Sequence, residues 1–154
     1  MKQILFVCTG NTCRSPMAEA LFNRLTEAGT PKAEYRAASA GLSAFSGDRA
    51  SENAVKAMRN YPGTDLSNHT ARNLTGWDIE SSHLVLTMSR NHKRHILSLY
   101  PDAYQKVYTL KEYVYGAADD IKDPYGGSES VYRSCADEIA KAVEKLAEKL
   151  EIIR

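Results

Sequence analysis

The stretch Ile4-Leu5-Phe6-Val7-Cys8-Thr9-Gly10-Asn11-Thr12-Cys13-Arg14-Ser15-Pro16 decides how this chain folds. Ile4 to Val7 is a short, continuous apolar run, which suits a strand buried on both faces. Ser15-Pro16 reads as a helix cap followed by a proline at the first helical position. Met17, Leu21, Leu25 and Ala28 continue at helical spacing until Gly29 stops the pattern. Between strand and helix the chain must turn tightly, aiming several backbone N–H groups and the positive end of the helix at a single point. That geometry is an anion nest. Gly10 and Asn11 are the residue types that best tolerate the left-handed backbone it requires.

Working outward, the pattern repeats with less clarity. Glu34 to Ser39 reads as a second strand. Asp48 is placed to cap a helix carrying Ala54, Val55 and Met58 before Pro62-Gly63. His83 to Met88 is another buried strand, followed by a helix from about Ser89 to Tyr100 that Pro101 ends. Lys106 to Leu110 is a fourth strand. Past the Gly- and Asp-rich stretch Gly116 to Gly127, Ser128 caps a long last helix with Val131, Cys135, Ile139, Val143, Leu146 and Leu150 on one face. Strands alternating with helices imply an α/β fold: a four-stranded parallel sheet with helices on both faces, three layers in all. Such sheets take ligands at the carboxyl ends of their strands, where the strand order reverses. There is no internal repeat or linker, so residues 1–154 are expected to form one domain.

Composition narrows the function. The 154 residues hold 20 Lys+Arg against 19 Asp+Glu, a net charge of +1, so no overall field draws the protein onto nucleic acid or an acidic membrane. No apolar run approaches the ~18 residues of a membrane span, and Ile4 to Cys8 is too short for a secretory core. Three cysteines are an odd number, read as reduced thiols in a cytoplasmic protein rather than as a disulfide framework. Nothing marks an oligomer interface, and a monomer is expected.

The chemistry therefore lies in local groups. Arg14 returns after the loop from Cys8 and can lay its planar fork on two oxygens of a phosphate. Amide dipoles, the helix end and Arg14 all favour the thiolate of Cys8 at the floor of the cradle. A thiolate beneath a bound phosphoryl group is a nucleophile in line with phosphorus. Alone, Cys8 would read as a small buried hydrophobe and Arg14 as a solvated charge. A strand before, a helix after, Gly-Asn within and Arg-Ser-Pro closing reverse that reading.

Ser15 either caps the helix or also hydrogen-bonds the Cys8 sulfur. Cys13 is either packing or a thiol able to trap oxidised Cys8 as a disulfide. Cys135 falls on the apolar stripe of the last helix and reads as core. A leaving group needs a proton donor that later activates water, and Asp123 is the candidate. Pro124 holds it extended, and Gly126-Gly127 turns the chain toward the last helix. Asp119 and Asp120 have no such constraint and read as solvated loop acids. Tyr125 is either a cleft wall or an ordinary turn residue. His69, in Asn68-His69-Thr70-Ala71-Arg72, reads as a hydrogen-bonding support for the loop. Arg90, His92, Lys93, Arg94 and His95 read as a solvated basic face, and Trp77 and the tyrosines form no stacking platform for nucleic acid.

From Cys8 to Pro16 the sequence resembles the low-molecular-weight protein tyrosine phosphatases. The likeness continues through Ser39-Ala40-Gly41, His69-Thr70-Ala71-Arg72, Leu86-Thr87-Met88 and Asp123-Pro124-Tyr125-Gly126-Gly127, over essentially the whole chain. The resemblance implies the phosphatase type I fold, flavodoxin-like or Rossmann-like in its layering. It implies Cys8 as nucleophile, Arg14 as phosphate and transition-state ligand, Asp123 as general acid and base, and a phosphocysteine intermediate. The loop Thr9, Gly10, Asn11, Thr12, Cys13 and Arg14 then binds phosphate with neither metal nor cofactor, and phosphorylated proteins are the substrates. Thr12 stands where tyrosine-directed members commonly carry an aliphatic residue. With Thr9, Leu110-Lys111-Glu112-Tyr113-Val114 and Asp123-Pro124-Tyr125-Gly126-Gly127 it resembles the bacterial protein-arginine phosphatase branch. A hydroxyl beside the phosphate offers a polar contact and less bulk. A planar guanidinium is a group that Asp123 can hold and Tyr125 can stack against. Thr12 and Tyr125 are thus the specificity candidates, with phosphotyrosine the alternative substrate.

Two other classes fit less well. An arsenate reductase of this scaffold needs further redox cysteines, typically within 75–100, and this chain has none there. Thr9-Gly10-Asn11-Thr12 also resembles the phosphate loop of a flavodoxin-like FMN carrier, but FMN gives no reason for Cys8 and Arg14 at the loop's two ends.

Overall fold

Lys2–Cys8 forms β1, and its core stretch Ile4 to Val7 is fully buried. The computed structural model describes residues 1–29 and 34–152. After β1 come α1 (Arg14–Glu27), β2 (Tyr35–Gly41), α2 (Glu52–Met58), α3 (Gly76–Ser81), β3 (Leu84–Thr87), α4 (Arg90–Leu99), a 3₁₀ turn (Pro101–Ala103), β4 (Val107–Thr109), α5 (Leu110–Tyr115) and α6 (Glu129–Ile152). The sheet is wholly parallel, ordered β2-β1-β3-β4. Alternation along β1 sets the layers. Ile4, Phe6 and Cys8 join the core shared with α1, α2 and α6, whereas Leu5 and Val7 join Ile79 of α3 and Ile96 of α4 on the other face.

This is the expected α/β fold of four parallel strands between helical layers. Because β2 lies on one side of β1 and β3 on the other, the order reverses at β1, and the crevice opens at its carboxyl end beside Cys8.

Several local expectations are corrected. Helix α1 begins at Arg14 with Cys13 at its N-cap and no side-chain cap, so Ser15 is inside the first turn and Pro16 is its third residue. A proline is still tolerated there, because first-turn N–H groups have no intrahelical partner. The cap of α2 is Ser51, whose hydroxyl accepts from the Ala54 N–H; Asp48 lies in the preceding loop. Leu110 opens α5 instead of ending β4. Val131 is exposed at the start of α6, while Cys135, Ile139, Val143, Leu146 and Leu150 are buried as expected.

Candidate active site

Residues 9–13 link β1 to α1, and Asn11 sets their shape. Its φ of 55° is the one left-handed non-glycine backbone among the described residues; Gly10 does not share it, contrary to expectation. Asn11 is fully buried, and its side-chain amide and its carbonyl are hydrogen-bonded. Its amide nitrogen donates to Ser15 Oγ and Ser39 Oγ, each at 2.9 Å, and its side-chain oxygen accepts from the Arg72 N–H at 3.0 Å. Its carbonyl oxygen lies 2.8 Å from His69 Nε2, which ties His69 to the loop.

Cys8 Sγ lies 2.9 Å from Ser15 Oγ. That hydroxyl already accepts from Asn11, which leaves its own proton for the sulfur. Ser15 therefore serves the thiol and not the helix end. Arg14 is buried beside them. Its Nη1 donates to the Ile121 carbonyl at 2.9 Å, and its Nη2 lies 3.5 Å from Asp123 Oδ2. Arg14 Nε is buried with no acceptor in reach, a donor that a tetrahedral anion above Cys8 would satisfy.

Asp123 arrives from the loop before α6, with Oδ1 accepting from the Tyr125 N–H at 3.1 Å. Cys8, Thr9, Gly10, Thr12, Cys13, Arg14, Asp123 and Tyr125 all line one cleft of about 420 Å³. Ser43, Phe45 and Asp48, from the loop after β2, complete it. Phe45 and Tyr125 are 79% and 84% exposed, two aromatic side chains raised at the mouth on separate loops. A hollow of about 520 Å³ beside Tyr100 and Lys106 is roomier but contains neither a thiol nor the loop.

The loop after β2 was not foreseen as a wall, although it leaves the carboxyl end of β1's neighbour, where a parallel sheet binds ligands. His92, expected on a solvated basic face, is buried instead. Its Nε2 sits 2.9 Å from Thr9 Oγ1 and its Nδ1 2.8 Å from Ser89 Oγ. Burial, followed by the positive charge of Arg14, pushes its pKa down to about 4, so the ring is neutral near pH 7. Lys93 pairs with Glu112 at 2.8 Å, and Arg90 with Asp120 at 3.2 Å. Asp120 is thus no free loop acid, and Asp119 reaches Lys111 at 3.8 Å.

Cys13 and Cys135 are both buried, and burial first of all pushes each thiol up to about 12; charge on Cys8 and Asp123 adds to the effect at Cys13. Among the described residues, no three His, Cys, Asp or Glu side chains gather to hold a metal.

A thiol and an arginine at the two ends of an amide cradle, in the crevice of a parallel sheet, define a cysteine-dependent phosphatase. Residues 3–152 match the family described as low molecular weight phosphotyrosine protein phosphatase, and the chain belongs to that family. It is 43% identical over 148 residues to a protein-arginine-phosphatase of Bacillus subtilis (strain 168), a match spanning 96% of each chain. Two solved structures superpose with TM-scores of 0.90. A YwlE arginine phosphatase mutant with a phosphorylated active-site serine is 41% identical and matched over 97% of this chain and 95% of its own. A low molecular weight protein tyrosine phosphatase from T. tengcongensis is 44% identical and matched over 97% and 99%.

Proposed function

We propose that this phosphatase acts on phosphoarginine in proteins, through a phosphocysteine at Cys8. The observation that carries this reading is the pairing of the Cys8 sulfur with the buried, acceptor-less Arg14 Nε at the floor of one cleft. The phosphoryl group sits in the cradle of residues 9–14, where backbone amides and the Arg14 fork neutralise its oxygens. The Cys8 thiolate attacks phosphorus, and the Ser15 O–H stabilises the sulfur before attack and after release. Asp123 gives its proton to the departing guanidine nitrogen, then takes one from the water that hydrolyses the phosphocysteine, leaving inorganic phosphate. The related arginine phosphatase with a phosphorylated active-site serine supports a covalent route.

Thr12 and Tyr125 set the choice of substrate in this reading. The Thr12 hydroxyl gives the phosphoguanidinium a polar neighbour, and Tyr125 and Phe45, both lining the cleft, provide aromatic flanks for a planar cation. The same two rings would also flank a phenyl group, and that observation favours phosphotyrosine as the second reading. The test compares phosphoarginine and phosphotyrosine in one peptide sequence. Wild type should favour phosphoarginine, and Thr12→Ile should move the ratio toward phosphotyrosine; an unchanged ratio removes Thr12 from the specificity argument. Cys8→Ser should abolish turnover, and Asp123→Ala should lower kcat about a hundredfold or more with little change in KM.

Cys13 is read as the thiol that rescues oxidised Cys8. Peroxide converts the Cys8 thiolate to a sulfenic acid, which condenses with Cys13 to a disulfide and water. With the Cys13 thiol pushed up to about 12, little of it is thiolate, so the disulfide should form slowly. Peptide mapping after peroxide should find Cys8 joined to Cys13, with activity restored by dithiothreitol. The near-neutral net charge supports a protein that binds neither nucleic acid nor membrane. No described helix is long and apolar enough to cross a membrane. We read residues 1–154 as one cytoplasmic, monomeric domain, testable by fractionation and by light scattering.

A further inference from the structure

We propose that Asp48 determines specificity, as a second acid that recognises the positive guanidinium of the substrate; the assignment rests on the phosphoarginine reading above. Asp48 lines the same cleft as Cys8, Arg14 and Asp123, and comes from the loop after β2 instead of the loop that carries Asp123. Its backbone is fixed from both sides. The N–H donates to the Phe45 carbonyl at 3.0 Å, the carbonyl accepts from the Ala71 N–H at 2.7 Å, and Arg49 bridges to Thr70. Its carboxylate, by contrast, makes no hydrogen bond or ion pair with any described residue. Asp123 is already engaged by Arg14 and by the Tyr125 N–H.

The cleft is therefore polarised along its depth. Loop amides, the start of α1 and Arg14 make the floor positive, and Asp48 and Asp123 make the walls negative. A carboxylate on the wall of an anion site repels every phosphate ester that lacks a compensating charge. Phosphoarginine supplies that charge where the wall needs it, with the phosphoryl anion below and the guanidinium one bond above. An aryl phosphate supplies none, so Asp48 attracts one substrate class and disfavours the other.

The test measures kcat/KM of wild type, Asp48→Asn and Asp48→Glu on a phosphoarginine peptide and on p-nitrophenyl phosphate, at low salt and at about 1 M salt. Because the site is solvated, Asp48→Asn should lower kcat/KM on phosphoarginine by about fivefold, mainly through KM. It should leave p-nitrophenyl phosphate equal or faster. High salt should shrink the difference, and Asp48→Glu, which keeps the charge, should recover most of the loss. A wild-type ratio between the two substrates retained in Asp48→Asn, whether both rates fall or neither does, overturns the assignment. Wild type that shows no preference for phosphoarginine over phosphotyrosine in the same peptide overturns the substrate reading itself, and Asp48 with it.

Discussion

Asn11 shows how one residue can hold the loop between β1 and α1. Its left-handed backbone bends the chain, and its buried amide ties the loop to α1, to β2 and to Arg72. Ser15 is the node through which that order reaches the sulfur. Ser15→Ala removes the hydroxyl proton facing Cys8 and strips the Asn11 amide of one buried acceptor. An unpaired buried donor costs about 1–3 kcal/mol. Ser15→Ala should therefore lower the unfolding free energy by roughly that amount and reduce kcat more than KM, as measured by urea titration and steady-state kinetics.

At this scale the sequence is legible where residue type restricts the backbone and ambiguous where one residue serves two uses. Asparagine tolerates positive φ, so Asn11 stood out, and Gly10 was included for the same reason although its own backbone does not need it. A serine before a proline suits a helix cap as well as it suits a thiol partner. Only the start of α1 at Arg14 separates the two.

Among elements, β2 and the phosphate loop meet at Gly41, and there is no space for a side chain. A Cβ at Gly41 would lie 2.6 Å from the Thr9 carbonyl oxygen and 3.1 Å from the Asn11 nitrogen. Backbone cannot yield as a side chain end can. The neighbouring bonds from Leu42 N–H to Cys8 and from Ser43 N–H to Thr9 would be strained with it. Gly41→Ala should lower kcat/KM on any phosphoester by an order of magnitude or more, since about 1 Å of misplacement is enough to cost a hundredfold. Far-ultraviolet circular dichroism should remain native, because Gly41 is the last residue of β2 and the clash falls at the end of the sheet.

Long, strongly patterned elements were readable: β1, β3, α1, α4 and α6 fall where the apolar spacing puts them. Helices α3 and α5 were missed, since six residues each are too few to show helical periodicity. Their signal is in the caps. Thr75 with Asp78 and Thr109 with Glu112 each form a reciprocal capping box, the pattern of a hydroxyl three residues before an acid. The cleft wall after β2 was missed because Asp48 looked like the start of α2, a position that belongs to Ser51.

For the whole molecule, two histidines held below their usual range, His92 buried and His83 at the surface, weigh on the acid side of stability. His92 is pushed down to about 4 from 6.5, and His83 is lowered too, by burial and then by Lys2 and Lys106. As pH falls through 6.5 the unfolded chain binds protons that these folded rings refuse, so stability is lost between pH 6.5 and about 4. Asp78 and Asp120 act lower. Burial alone would raise each carboxyl, but hydrogen bonds from Arg72 and Thr75 at Asp78, and from Arg90 at Asp120, bring both net below 3.8. Their contribution is present above 3.8 and is lost as pH falls further. Thermal melts should therefore decline in two stages on acidification. In His92→Gln the first stage should shrink, by on the order of 2 kcal/mol between pH 7 and pH 4.

Helix α6 packs against α1 and α2 and follows the loop that carries Asp123. Along the polypeptide, the sulfur and its arginine are therefore translated long before the Asp123 carboxylate and before the helix that packs on the apolar side of α1. A ribosome-bound chain ending short of residue 129 holds a thiol in an unfinished socket, with its oily flank open to chaperones. With Asp123 as the proposed proton donor, turnover is expected to wait until synthesis has supplied the far end of the molecule.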